Sequence, residues 1–220
     1  MKPRANVFVT DRALSLITPS VLKKESERLS KELGILDKCS LRIGLLIGGN
    51  TEKTKYNPAL FEATLEALEK VAQTTNTSFF ITSSRRTPEW ADVLLKKKFQ
   101  NKLECPLLVI ANESNPAGVV AGILGLSNVL IVTGESISMV SEAISSMKPV
   151  VVFTPAKNID LKPKYRKFLN DMKNEKLITL ATEKNIYEIM MNFSQNGYAV
   201  PHQTVSRDHE ILFQAMRAVA

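Results

Sequence analysis

The chain has 220 residues, of which 44% are apolar and 23% charged, and it carries a formal net charge of +7. That length favours one large domain, and the apolar share suffices for a real core. No apolar run reaches the roughly 20 residues of a membrane-spanning helix, and no apolar signal core follows Met1.

The expected location is therefore cytoplasmic, with peripheral contact to a membrane as the alternative. The positive charge favours an anionic partner: a nucleotide, an acidic membrane face or nucleic acid. Much of the excess sits in Lys96 to Lys98 and Lys162 to Lys176, on helix faces expected to be solvated. These cations are not interleaved with aromatics, so nucleic acid is not expected. Cys39 and Cys105 fall in no Cys-x-x-Cys pattern and are expected to be reduced and structural. His202 and His209 are the only histidines, which excludes a His-rich zinc site; no metal site is expected. No Gly-x-x-x-x-Gly-Lys-Ser/Thr loop occurs, and no Gly-x-Gly-x-x-Gly follows a strand.

In chain order, Val7 to Thr10 is predicted as a short strand. Thr18-Pro19 opens a helix to about Leu33, with Val21, Leu22, Leu29 and Leu33 inward and Gly34 as terminator. Leu41 to Ile47 is a strand running into Gly48-Gly49-Asn50-Thr51. Asn57-Pro58 caps a helix to about Thr74, with Phe61, Leu65, Leu68 and Ala72 at helical spacing. Ser78 to Thr82 is the next strand. A helix from Thr87-Pro88 carries Trp90, Val93 and Leu94 toward the sheet. Pro106 to Ile110 is a strand. Asn115-Pro116 opens a helix through Gly125, whose Ala117, Gly118, Ala121 and Gly122 would let it lie close against the sheet.

Val129 to Val132 reads as a buried parallel strand, and Thr133 to Ser136 as a tight turn in which Gly134 takes φ > 0 or admits a ligand to the backbone. A helix follows from Ser136 or Ser138, with Met139, Ala143 and Met147 as its inner stripe; Lys148-Pro149 stops it. Val150 to Phe153 is a strand, Lys162 to Asn174 an amphipathic helix, and Leu177 to Leu180 a last strand. Asn185 to Phe193 and Ser206 to Ala218 are closing helices, the second with Leu212, Ala215, Met216 and Val219 on one face.

Strands alternating with helices mean βαβ units: an α/β, three-layer Rossmann-like domain with a mainly parallel sheet. Ligands of such sheets sit off the carboxyl ends of the strands. Gly48-Gly49, Ser83 to Arg86 and Gly134 to Ser138 all fall just after strands, so three separate turns are expected at one edge. A strand, small-residue turn and helix start present free N–H groups to a phosphate.

Four blocks carry a family resemblance. Val132 to Ala143 (VTGESISMVSEA) resembles the signature of the mitochondrial-fission ELM-like family, which is glycosyltransferase-like with a GT-B fold. Ile47 to Thr51 (IGGNT) resembles its first glycine turn, and Ser83 to Pro88 (SSRRTP) its Ser-Arg-Arg-Thr-Pro block. Asn6 to Thr10 and Ile17 to Pro19 are similar to its interdomain passage. The resemblance covers nearly the whole chain, but only the C-terminal half of the family's usual length.

It implies an interdomain-type segment with the first strand over residues 1–20, and a single donor-binding domain over 21–220 equivalent to the C-terminal, nucleotide-sugar-binding half of a GT-B fold. On this resemblance the acceptor domain, which usually supplies the catalytic base, is expected to lie outside these 220 residues. No catalytic residue can be named, and catalysis by this chain alone is not implied. A separate N-terminal half or a homodimer is the implied partner. The ligand is a nucleoside diphosphate or nucleotide sugar, taken as substrate rather than cofactor. Transfer by metal-dependent GT-A chemistry is disfavoured, since no Asp-x-Asp is present.

Metal-independent transfer needs positive groups aimed at the leaving diphosphate. The helix start at Ser136 to Ser138 offers N–H groups worth roughly 0.3–1 kcal/mol when exposed, and Arg85 or Arg86 a bidentate contact. The resemblance makes Glu142 the ribose ligand; a surface salt bridge is the other reading. Gly48 and Gly49 either admit the ligand or form a tight turn. Asn50 and Thr51 are placed toward acceptor or leaving group. Ser83 and Ser84 either bond phosphate oxygens or cap the next helix; Thr133, Ser138 and Ser141 are ligands or caps and packing. Glu135 is expected as a solvated turn residue. Alternatives to a donor-binding domain are a non-catalytic interaction module and a UDP-sugar 2-epimerase-like protein.

Overall fold

Six short runs of mostly apolar, largely β-branched or aromatic residues pair into one sheet. In the computed structural model, which describes residues 10–35, 41–155, 161–197, 211 and 214–217, they are β1 (Leu41–Leu46), β2 (Thr77–Thr82), β3 (Leu107–Val109), β4 (Val129–Thr133), β5 (Val150–Phe153) and β6 (Thr179–Ala181). The order is β3-β2-β1-β4-β5-β6, and every pairing is parallel. The chain builds outward from β1 to β3, then returns to lay β4 against the free side of β1, with Leu45 opposite Ile81 on one flank and Ile131 on the other. The β1–β4 boundary is thus the topological switch point, where an open α/β sheet offers a crevice.

Seven helices join these strands: α1 (Pro19–Leu33), α2 (Pro58–Thr74), α3 (Glu89–Phe99), α4 (Val119–Leu126), α5 (Ile137–Ser145), α6 (Pro163–Asn174) and α7 (Ile186–Asn196). Side chains alternate across a strand, so Ile43, Leu45 and Ile47 pack with α2, α3 and α7, while Leu46 packs with α1, α4, α5 and α6. Phe61 anchors the first layer, with ring centroids 5.7 Å from both Tyr56 and Trp90. No described helix is long and apolar enough to cross a membrane.

Local chemistry sets several boundaries. Thr18 accepts from the Val21 N–H and Gly34 ends α1 at φ 59°. Asn57 accepts from the N–H groups of Ala59 and Leu60 ahead of α2. The predicted strand at Val7 to Thr10 lies outside the described residues but for Thr10, which is not in a strand.

Other expectations are corrected. The helix predicted from Asn115 begins at Val119, because Gly118 adopts φ 77°. Its small residues face α1, not the sheet: a Cβ on Gly122 would lie 2.9 Å from Leu29, and one on Gly125 2.6 Å from the Leu22 carbonyl. Close approach of α4 to the sheet is permitted instead by Gly44, where a Cβ would meet Ile123 at 2.9 Å. The inner stripe of α5 is Val140, Ala143 and Ile144; Met147 lies past the helix end at φ 60° and is exposed. Val21 and Val93 point outward, the latter 55% exposed, since Leu29 and the trio Ala91, Leu95 and Phe99 take the buried positions. Of the last predicted helix, residues 211 and 214–217 are helical; Met216 is exposed, while Leu212 and Val219 lie outside the described residues. Lys98 is not a solvated cation, for it pairs with Glu69 at 2.7 Å across α3 and α2.

Candidate functional site

The turns after β1, β2 and β4 meet at the switch point. The Gly48 N–H donates to Thr133 Oγ1 at 2.7 Å. Thr87 Oγ1 donates to the Gly48 carbonyl at 2.5 Å, and the Asn50 N–H donates to the Arg86 carbonyl at 3.0 Å. Residues 48–50, 84–87 and 133–136 therefore form one hydrogen-bonded rim over the carboxyl ends of β1, β2 and β4.

Beneath the rim lies Glu135, 1% exposed, contrary to the solvated turn residue expected. Its Oε1 accepts from the Tyr56 hydroxyl at 2.8 Å and from Thr133 Oγ1 at 2.9 Å. Its Oε2 is buried without a partner among the described residues. Burial raises the Glu135 pKa, against the lowering effects of Tyr56, its own backbone, Thr133 and the Gly49 N–H. The Tyr56 hydroxyl is pushed well above its ordinary value by burial and then by the Glu135 charge, with nearby Arg86 opposing. Tyr56 is also tied by its N–H, which donates to Asn50 Oδ1 at 2.9 Å. This network was invisible in sequence, because 79 residues separate its two main members.

The glycines answer to packing. A Cβ on Gly48 would overlap the Glu135 carboxylate, and one on Gly49 the Arg86–Thr87 backbone. Gly134 does not take positive φ; a Cβ there would lie 2.7 Å from Thr154 Oγ1 and 3.0 Å from Leu169. Each is glycine because another part of the protein already occupies the space a side chain would need.

The start of α5 is different. Ser136 is its N-cap but makes no side-chain capping bond, so its hydroxyl leaves the first-turn N–H groups unclaimed. Ser138 is exposed and Glu142 half-buried; four residues apart on a helix, they share a face. Burial alone raises the Glu142 pKa. Ser141 is turned away and accepts from the Ala13 N–H at 3.1 Å, which holds the segment before α1 against α5.

Arg85 and Arg86 are exposed, and no described carboxylate pairs with either. Ser84 accepts from the Arg86 N–H at 3.2 Å, and Ser83 accepts from the Ala111 N–H at 3.1 Å, so both hydroxyls organise the turn. Among the described residues no three potential metal ligands cluster.

A cleft of about 360 Å³ opens beside the rim, off the ends of β5 and β6, with Thr154, Arg166, Leu169, Asn170 and Thr182 among its lining. Sequence reasoning missed these residues. The amphipathic pattern of α6 was legible, but nothing in it pointed to a cleft. Gly134 links the two places, since the atoms that crowd it belong to Thr154, Leu169 and Val152, all in the cleft lining.

Comparison with known proteins decides the lineage. Residues 1–199 match the family model described as mitochondrial fission ELM1. The chain belongs to the mitochondrial fission ELM1 family. The uncharacterized protein RP120 of Rickettsia prowazekii (strain Madrid E) is similar, at 28% identity over 141 residues, which is 63% of this chain and 38% of that protein.

Among solved structures, a UDP-N-acetylglucosamine 2-epimerase-like protein from Listeria monocytogenes matches with TM-score 0.55 and 11% identity over 95% of this chain and 49% of that one. The S. aureus MnaA–UDP complex matches with TM-score 0.55 and 9% identity over 87% and 47%. At such identities the likeness concerns the fold alone: this ELM1-family chain has the Rossmann-like architecture of a GT-B half. It spans about half the length of these structures and less of RP120.

Proposed function

We propose that this domain of the ELM1 family binds a nucleoside diphosphate, alone or as a nucleotide sugar, off the carboxyl ends of β1 and β4. The observation that carries this reading is the uncapped start of α5, set beside the switch point where three hydrogen-bonded turns meet. The diphosphate takes the first-turn N–H groups of α5 and the Ser136 and Ser138 hydroxyls. Glu142 accepts from the ribose hydroxyls, which a carboxylate can do for both at once. Calorimetric titration with UDP, GDP, ADP and CMP tests the reading. Binding of at least one diphosphate is expected; no binding by any, with the fold intact, overturns it.

A second reading is a non-catalytic interaction module. It is favoured by the closed rim: Gly48 and Gly49 have no room for a side chain, let alone a ligand, and Leu14 and Leu16 stand exposed ahead of α1. Failure of all four titrations would leave this reading in place.

A further inference from the structure

The loops on the β1–β2 flank of the site are closed on one another. Gly48 and Gly49 are filled from behind by Glu135 and by the Arg86–Thr87 backbone, and the Ser83 and Ser84 hydroxyls are engaged within the protein. The β5–β6 flank is open. Its cleft has an apolar floor that includes Leu161 and Leu169, and a rim bearing the Arg166 guanidinium, the Asn170 amide, the Thr182 hydroxyl and the Glu183 carboxylate. A Cβ on Gly134, at the foot of α5, would meet three residues of that lining, Thr154, Leu169 and Val152. Among the described residues, the space next to the foot of α5 is this cleft toward β5 and β6.

Arg166 is half-buried and lines this cleft, and no described carboxylate pairs with it. Glu183 lines the same cleft but forms no described salt bridge with Arg166, so the half-withdrawn guanidinium can turn its fork to two phosphate oxygens. Hydroxyl and amide groups above an apolar floor suit a pyranose, which presents hydroxyls around its rim and C–H bonds on its face.

We infer that Arg166, rather than Arg85 or Arg86, supplies the cation that meets the ligand's diphosphate, and that the β5–β6 cleft receives the sugar attached to it. The inference rests on the nucleotide-binding reading above and adds the direction in which the ligand lies.

The experiment is a calorimetric titration of the 220-residue chain with UDP and with UDP-N-acetylglucosamine. Wild type is compared with Arg166→Gln, the double variant Arg85→Ala/Arg86→Ala, and Thr182→Trp, each checked by circular dichroism. Arg166→Gln is expected to weaken both ligands by at least about tenfold, the loss of a charge-assisted contact. The double variant should change either affinity by less than about threefold. Thr182→Trp, which fills the cleft from an exposed turn, should weaken the sugar nucleotide and spare UDP. If wild type binds neither UDP nor any other diphosphate, the nucleotide reading itself falls. If wild type binds and Arg166→Gln binds equally well, or Thr182→Trp keeps full affinity for the sugar nucleotide, this inference alone is overturned.

Discussion

The Tyr56 hydroxyl donates a 2.8 Å hydrogen bond to Glu135 Oε1, both groups being almost wholly buried. The bond joins the loop ahead of α2 to the turn after β4, and so fastens the rim of the candidate site to the core. Removing one partner leaves a buried acceptor short of a donor, which costs about 1–3 kcal/mol. Tyr56→Phe should lower the stability of the domain by that amount in urea unfolding; an unchanged midpoint would show that the bond contributes nothing to folding.

Glu135 should also make stability depend on pH. Its folded pKa is raised above the ordinary 4.5, so the native state holds this proton more tightly than the unfolded chain. The contribution is complete below the unfolded pKa and is lost as pH rises through the folded one. Wild type should therefore lose stability relative to Glu135→Gln as pH climbs from about 4.5. Parallel stability curves for the two proteins would contradict the burial of an ionisable group here.

Gly48 should prove to be a packing position. A Cβ there runs into the Glu135 carboxylate, and such overpacking costs about 1–3 kcal/mol. Gly48→Ala should show that loss without any ligand present. The loss should shrink in a Glu135→Ala background, where the obstruction is gone; an additive double-mutant cycle would place the strain elsewhere.

Cys105 is buried, and burial pushes its thiol up to about 12. The thiolate is the reactive form, so iodoacetamide at pH 8 should leave Cys105 unmodified in the native protein and label it after unfolding. Prompt native-state labelling, located by peptide mapping, would contradict the burial.

Much of this architecture was legible in the sequence, because local chemistry decides it. Asn57-Pro58 announces a capped helix, and α2 begins at Pro58 and ends at Thr74; the β-branched run Val150 to Phe153 is β5 without adjustment. Residues whose role is set by a distant neighbour were misread. Glu135 beside Gly134 looks like any acid in a turn until Tyr56 folds over it. The small residues of α4 could serve a sheet or a helix equally well, and only the placement of α1 selects the helix. The double glycine after β1 was ambiguous for the same reason, since a ligand and a neighbouring loop demand the same missing side chain. The spacing of Met139, Ala143 and Met147 was helical, but α5 stops too soon to use its last member.

The most direct test of the nucleotide site is a backbone-amide shift map of the ¹⁵N-labelled chain during titration with UDP. The amides of Ser136, Ile137, Ser138 and Met139 are expected to move first and furthest, as the diphosphate settles on the start of α5. If those four amides stay still while UDP binds elsewhere, or if no amide in the protein responds, the central claim is contradicted.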